Sequence, residues 1–482
     1  MRSPAAIEHH PPTRKPATVT ETNDAPIRSF DDLLAPFHEW SRPGKQRVGA
    51  EMEKFGVYTA SAGVVHYAGD RGILRVLETL ARDYGWKKEL DTPDSPLIAL
   101  TKNGASITLE PGAQLELSGA PLLTIHEIDD ELADHVRELA PISRELGITW
   151  LGLGFHPFAT RAELEPMVPK LRYPIMREYL PTRGGHALDM MLRTCTVQAN
   201  FDYADEATAI RLLRIALKLS PLTTAIFASS PWKERAAFGG VTYRGRTWLD
   251  VDPDRSGLVP SMWADDARFS TYIEWALDVP MFLFKHRGAK FANTGQTFRS
   301  FWKSGFQGEH PTQSDWQTHL NTLFPEVRLK KTIEIRGADA QQRPLACALP
   351  ALWTGIFYDA RALYEAEAMV DGWTHAEVNA SRDGVWRDGL RASFRGAPMQ
   401  KLAERLIEIA EGGLERRKNV RASDGKDERV HLARLRDLVA RGKTPADELL
   451  LNVKPGERFE QRVLAAVDLD AAHVPPPARA QS

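Results

Sequence analysis

The feature that most restricts the fold of this chain is a repeated alternation of apolar residues with carboxylate or amide side chains. Residues two apart on a strand share a face, so each such segment has a dry face and a face of oxygen atoms. "VGAEMEKFGV", residues 48–57, places Glu51 and Glu53 side by side. In "SITLEPGAQLELS", Ile107, Leu109, Leu115 and Leu117 alternate with Thr108, Glu110, Gln114 and Glu116 across a turn at Pro111-Gly112. "TCTVQANFDY" alternates Cys195, Val197, Ala199 and Phe201 with Thr196, Gln198, Asn200 and Asp202. In "TIEIRGAD", Ile333 and Ile335 alternate with Glu334 and Arg336.

Any one of these segments reads as an antiparallel strand with a solvated face. Exposed faces, however, favour threonine, lysine and mixed charge, whereas here Glu, Asp, Gln and Asn recur. If the strands share one sheet, five glutamates and one arginine collect on one face. Carboxylates packed together repel one another and are costly to bury unpaired. A divalent cation resolves that conflict, and an all-oxygen donor set suits magnesium shared with substrate phosphates. An arginine at the edge of such a face fits phosphoryl transfer. The chain has no G-x-x-x-x-G-K-[ST], and "GLGFHPF" fails G-x-G-x-x-G at Pro157, so a nucleotide would be held through metals and the sheet.

The formal net charge of −2 gives no electrostatic reason to expect nucleic acid as a partner. No apolar run approaches the ~20 residues of a membrane span. Two cysteines, Cys195 and Cys347, exclude a disulfide framework or a cysteine zinc cluster and indicate a reducing compartment. Residues 1–27 lack an apolar signal region and read as a disordered tail. A transit peptide is the alternative reading, which His9, His10 and the acidic residues there weaken. Residues 466–482 read as a second tail, which leaves a single catalytic unit at 28–465, mostly helical from about 344. A cytoplasmic protein is expected, as a monomer or homodimer acting on small molecules.

Hairpins are expected at Ser61–Gly63 and at Asn103-Gly104, the latter a strong two-residue turn signal. Thr124 and Glu127 form a capping box opening a long helix, which Pro141 should kink or divide. "DEATAIRLLRIALKLS" predicts an amphipathic helix ending at Pro221. Adjacent hairpins with helices to one side make an α+β fold. Several weaker signals are rejected. "DVDPDRSG" has calcium-loop spacing, but Arg255 stands where the loop needs glycine. Cys195 faces the apolar side and is no nucleophile. His66 and His156, at strand ends, read as structural or surface histidines, and the pairs Met190-Met191 and Phe301-Trp302 as core, with substrate-pocket walls as the second reading.

The motifs "GAEMEKFG", "ITLEPGAQLELSGAPL", "DMMLRTCTVQANFDY", "FPEVRLKKTIEIRGAD" and "CALPALWTGIFYD" resemble glutamate–cysteine ligases of the plant type, which also occurs in many proteobacteria. The resemblance runs from about residue 45 to 370 and more weakly beyond. It implies a glutamine-synthetase-like fold, a curved antiparallel sheet with helices on its convex side. It also implies ATP-dependent joining of the glutamate γ-carboxyl to the cysteine amine through γ-glutamyl phosphate, the first step of glutathione synthesis. ATP as co-substrate and two or three Mg2+ ions follow from it. Carried onto this sequence, the metal positions are Glu51, Glu53, Glu110, Glu116 and Glu334, with Gln198 where distant relatives have histidine. Arg336 is the catalytic, phosphate-facing arginine. Arg193, Arg244 and Arg255 lie in motifs around the amino-acid pocket, with Met191, Trp232 and Trp248 as walls. The rival readings are a γ-glutamyl ligase for another amine and a silent nucleotide-binding protein.

Overall fold

The structure, a computed structural model, describes residues 25–90, 95–286, 289–453, 456 and 458–469. Its centre is an antiparallel sheet of nine strands: β1 (Val48–Tyr58), β2 (Lys87–Glu89), β3 (Ala99–Lys102), β4 (Ala105–Leu109), β5 (Leu115–Ser118), β6 (Ile148–Leu151), β7 (Thr196–Phe201), β8 (Val327–Leu329) and β9 (Ile333–Asp339). Their order is β8-β9-β7-β1-β5-β4-β3-β2. The long β1 is the spine. Its first half lies between β7 and β5, and its second half pairs with β6.

The Asn103-Gly104 turn joins β3 to β4 with positive φ at both residues, 52° and 91°, as a type I′ hairpin requires. At Ser61–Gly63 the expected hairpin reduces to a turn with one bridge, Val57 to Val64.

One face of the sheet is covered by α1 (Ile73–Asp83), α2 (Ile125–Leu146), α3 (Glu206–Ile226), α4 (Ala348–Phe357) and α5 (Met399–Arg417), α5 lying over α4. The Thr124–Glu127 capping box opens α2 as expected, but Pro141 sits inside the helix without dividing it. Likewise α3 does not stop at Pro221. Pro221, Leu222, Thr223, Ala225 and Ile226 are all buried, and burial of that turn outweighs the ~3 kcal/mol a mid-helix proline costs. The main helical layer lies on one face of the sheet, as expected. Short helices at Arg172–Tyr179, Ala187–Arg193 and Tyr243–Thr247 roof the polar face.

Both ends are packed further than the sequence suggested. The N–H of Ile27 donates to the carbonyl of Pro311, and Val467 and Leu469 are 1% and 2% exposed. The rest of the two expected tails lies outside the described residues. No described helix is long and apolar enough to cross a membrane.

Helices α4 and α5 touch through glycines. A Cβ on Gly413 would lie 1.8 Å from the carbonyl oxygen of Gly355, and one on Gly355 would lie 2.2 Å from that of Ala410. Neither backbone can yield alone. Gly413→Ala should therefore cost about 3 kcal/mol, read as a lower urea midpoint at unchanged m-value.

Candidate active site

Strand parity turns every apolar partner of the glutamates into the helical face and the glutamates into the opposite one. The register then brings them together: Glu53 stands directly opposite Glu116, Glu51 opposite Gln198, and Glu334 opposite Asn200. Glu53, Glu110, Gln198 and Arg336 line a single roofed cavity.

The carboxylates fall into two electrostatic classes. Glu334 is fully buried but saturated with cations. Arg328 donates two bonds of 2.8 Å to it, Arg336 donates one of 2.6 Å, and Lys330 lies 3.2 Å away. Burial alone would raise its pKa, yet Arg328, Lys330 and Arg336 hold it well below the usual range. Glu51, Glu53 and Glu110 have no such partners. Burial and the neighbouring carboxylates Glu334 and Glu116 push Glu51 up to about 8. Burial, then Glu110 and Glu116, raises Glu53 well above its ordinary value, and Glu110 is raised by burial and Glu116.

Neutral donors fix the directions of these groups. The Thr196 N–H donates to Glu53 Oε2 at 2.9 Å and the Asn200 amide to Glu51 Oε1 at 2.7 Å. Thr108 and Ser118 hydroxyls hold Glu116 at 2.5 and 3.0 Å. The result is a face of oriented oxygens that nearby cations only partly compensate, a donor set that fits a hard divalent cation.

Guanidiniums surround that face. Arg336 also donates to Gln198 Oε1 at 2.9 Å. Arg244 donates to the carbonyl of Arg336 at 2.8 Å and stacks over Trp248. Arg172, from the roof, adds a third cation. Gln114 Oε1, Arg172 Nε, Arg244 Nε and Trp248 Nε1, all on residues lining the cavity, are buried without a partner. Buried polar groups are rarely left so, and their convergence here marks a ligand cavity.

Asp339 holds Arg244 in place. It accepts from Ser229 N at 2.8 Å, Ser230 Oγ at 2.7 Å and Thr242 Oγ1 at 3.0 Å, and lies 3.9 Å from Arg244. Asp339→Ala strands these buried donors and should cost about 3 kcal/mol in a denaturant titration.

Of the proposed amino-acid pocket, Arg244, Met191 and Trp248 line the cavity. Arg193, Arg255 and Trp232 do not, which corrects the expectation for them. Arg193 donates through Nη1 to Asp189 and Glu234, at 3.1 and 2.9 Å, while its Nε and Nη2 are buried without a partner. Arg255 is locked by Asp252 at 2.6 Å and by the carbonyls of Pro280 and Thr322. Trp232 packs edge-on against Phe459. The Asp252–Arg255 pair accounts for the rejected calcium motif, and Cys195 is buried in the apolar layer. His156 Nδ1 caps the Phe158 and Ala159 amides. Arg172, Tyr173, Arg328 and Lys330 were not anticipated.

The model of glutamate-cysteine ligase family 2 (GCS2) matches residues 47–464. The chain is 39% identical over 450 residues to the chloroplastic glutamate–cysteine ligase B of Oryza sativa subsp. japonica, covering 92% of this chain and 87% of that one. It is 40% identical over 445 residues to the chloroplastic enzyme of Arabidopsis thaliana, covering 91% and 82%. Among solved structures, the glutamate–cysteine ligase of Francisella tularensis in complex with AMP superimposes with a TM-score of 0.53 over 89% of this chain and 88% of that one at 11% identity, a likeness of fold. The names of the plant relatives overturn the expected cytoplasmic location. A low cysteine count reports a reducing compartment without saying which. With the match spanning nearly the whole described sheet and cleft, the chain belongs to glutamate-cysteine ligase family 2.

Proposed function

We propose that this cleft joins the γ-carboxyl of glutamate to the amine of cysteine at the expense of ATP, giving γ-glutamylcysteine, the first step of glutathione synthesis. The observation that carries the reading is the face of crowded carboxylates, Glu51, Glu53 and Glu110, whose charge burial and mutual repulsion disfavour more than the nearby cations relieve, with Arg336, Arg244 and Arg172 around it. Glu51, Glu53, Glu110 and Glu116 would hold two or three Mg2+ ions, with Gln198 beside them. Bound there, magnesium screens the charges of the ATP phosphates from the attacking carboxylate.

Arg336 stabilises the phosphoryl group as it moves from ATP to the γ-carboxylate. Glu334 serves first to fix that guanidinium, because Arg328 and Lys330 already take up its charge. Direct contact of Glu334 with a metal requires those partners to shift. Arg244 suits the α-carboxylate of glutamate, for which a guanidinium fork is the natural partner, while Met191 and Trp248 wall the substrate. The roofing helices exclude water, which would otherwise hydrolyse the acyl phosphate before the amine arrives.

The test is ADP release by the purified chain with Mg2+, ATP and glutamate, with and without cysteine, and mass spectrometry of the product. Cysteine-dependent release with γ-glutamylcysteine formed is expected. Release that responds to another amine overturns the acceptor. No release from folded protein overturns the ligase.

A further inference from the structure

A second cavity, of about 520 Å³, adjoins the cleft and shares Arg244, Trp248, Phe324 and Arg336 with it. The rest of its wall comes from residues that the cleft does not use. Among them are Glu326, just before β8, Gly337 on β9, and Arg382 and Trp386 on the helix His375–Asp388.

Glu326 supplies the only carboxylate among the described residues lining this cavity. One of its oxygens is committed. Arg382 donates to Oε1 at 2.7 Å, and both side chains are 14% exposed. A carboxylate has acceptor capacity on both oxygens, and no described residue donates to Oε2. That oxygen lies against Gly337, where a Cβ would come within 3.0 Å of it and within 3.3 Å of Thr224 Oγ1. The bare backbone at Gly337 therefore keeps the space before Oε2 open.

This arrangement suits a zwitterion. An α-amino acid carries its carboxylate and its ammonium on one carbon, so its partners must be a cation and an anion facing one small volume. Arg244 is the cation, 4% exposed with its Nε buried without a partner. The charges of Glu53 and Glu326 both act on it, so it stands within electrostatic reach of the carboxylate face on one hand and of Glu326 on the other. Glutamate as a whole is an anion, which fits a cavity with more guanidiniums than carboxylates.

Resting on the reading of Arg244 as the partner of the glutamate α-carboxylate, we propose that Glu326 receives the α-ammonium group of the same glutamate. The γ-carboxylate then extends past Arg244 and Arg336 to the metal-binding glutamates. A diacid without an amino group leaves Oε2 unpaired, so Glu326 makes the site selective for an α-amino acid. The competing account is that the Glu326–Arg382 pair only ties the helix to the strand. The two accounts part on glutarate, which is glutamate without its amino group.

The test is calorimetric binding of glutamate and of glutarate to the full chain with Mg2+ and a non-hydrolysable ATP analogue. It needs no turnover, so its outcome is separate from the ADP-release assay that tests the ligase. The wild type should bind glutamate at least about 10²-fold more tightly than glutarate. Glu326→Gln should weaken glutamate about 10²-fold and leave glutarate within a few-fold of wild type. Arg382→Gln removes the bridge but leaves the carboxylate its charge, so the preference for glutamate should persist. If Glu326→Gln fails to fold, Gly337→Ala replaces it. Its methyl group crowds Oε2, and the preference should shrink at least about tenfold. Failure of the folded wild type to bind glutamate, or equal binding of the two ligands, overturns the proposal. So does a preference that survives Glu326→Gln, or one that falls as far with Arg382→Gln.

Discussion

Arg336→Ala is expected to lower turnover by about 10³-fold, since a guanidinium aimed at a transferring phosphoryl group contributes on that scale. Thermal stability should change little by comparison. Arg336 is one of three cations on Glu334, and Arg328 alone supplies a two-bond clamp, so the carboxylate stays neutralised when Arg336 is lost. The diagnostic pattern is a collapse of kcat with an ATP KM within a few-fold of wild type, measured by coupled ADP assay. A variant that kept most of its turnover would place the phosphoryl contact elsewhere, with Arg172 or Arg244 as the next candidates. Arg336→Lys should recover only a small part of the rate, because an ammonium cannot bridge Glu334 and Gln198 as the planar fork does.

Glu53→Gln is expected to act with opposite signs on activity and on stability. Glu53 is buried opposite Glu116 and beside Glu110, and burial and both neighbours disfavour its charge. A glutamine keeps the shape, and its Oε1 can still accept from Thr196 N, but the repulsion disappears. Without metal the variant should be more stable than wild type by about 1–2 kcal/mol, a rise in Tm of the order of 2 °C. With saturating Mg2+ and ATP the order should reverse, because the wild type gains binding free energy that the variant lacks. Turnover should fall by at least about 10²-fold. Calorimetric scans of both proteins with and without Mg2+–ATP check all three statements. A metal-free Tm below that of wild type would mean that the attraction of Arg244 for Glu53 outweighs burial and the repulsion of Glu110 and Glu116.

Much of the site could be read from the sequence because parity on a strand needs no knowledge of register. Each glutamate was assigned a face by its apolar neighbours, and the same neighbours are buried in the structure: Ile107, Leu109, Leu115, Val197, Ala199 and Ile333 are at most 1% exposed. The same alternation sets Arg328 and Lys330 against Val327 and Leu329 in "EVRLKK", but over three strand residues it is too short to stand out as a pattern.

Arg193 and Arg255 were misplaced although their partners lay close in the sequence. Asp189 is four residues before Arg193 on a helix and Asp252 three before Arg255, the separations at which opposite charges meet within a turn. Arg172 and Tyr173 carry no periodic signal, since they come from a short roof helix whose place depends on Tyr173 reaching the Leu109 carbonyl, 2.6 Å away. Trp232 is settled by Phe459, near the other end of the chain. Helix ends failed where burial outweighed proline, at Pro141 and Pro221.

The central claim is that the carboxylate face activates glutamate as an acyl phosphate. Glutamate carrying ¹⁸O in its γ-carboxyl tests this directly, in a turnover with Mg2+, ATP and cysteine followed by mass spectrometry of the released phosphate. The account predicts one labelled oxygen in each phosphate formed, because the γ-carboxylate oxygen that attacks phosphorus leaves with it. Unlabelled phosphate, formed together with γ-glutamylcysteine, would contradict it.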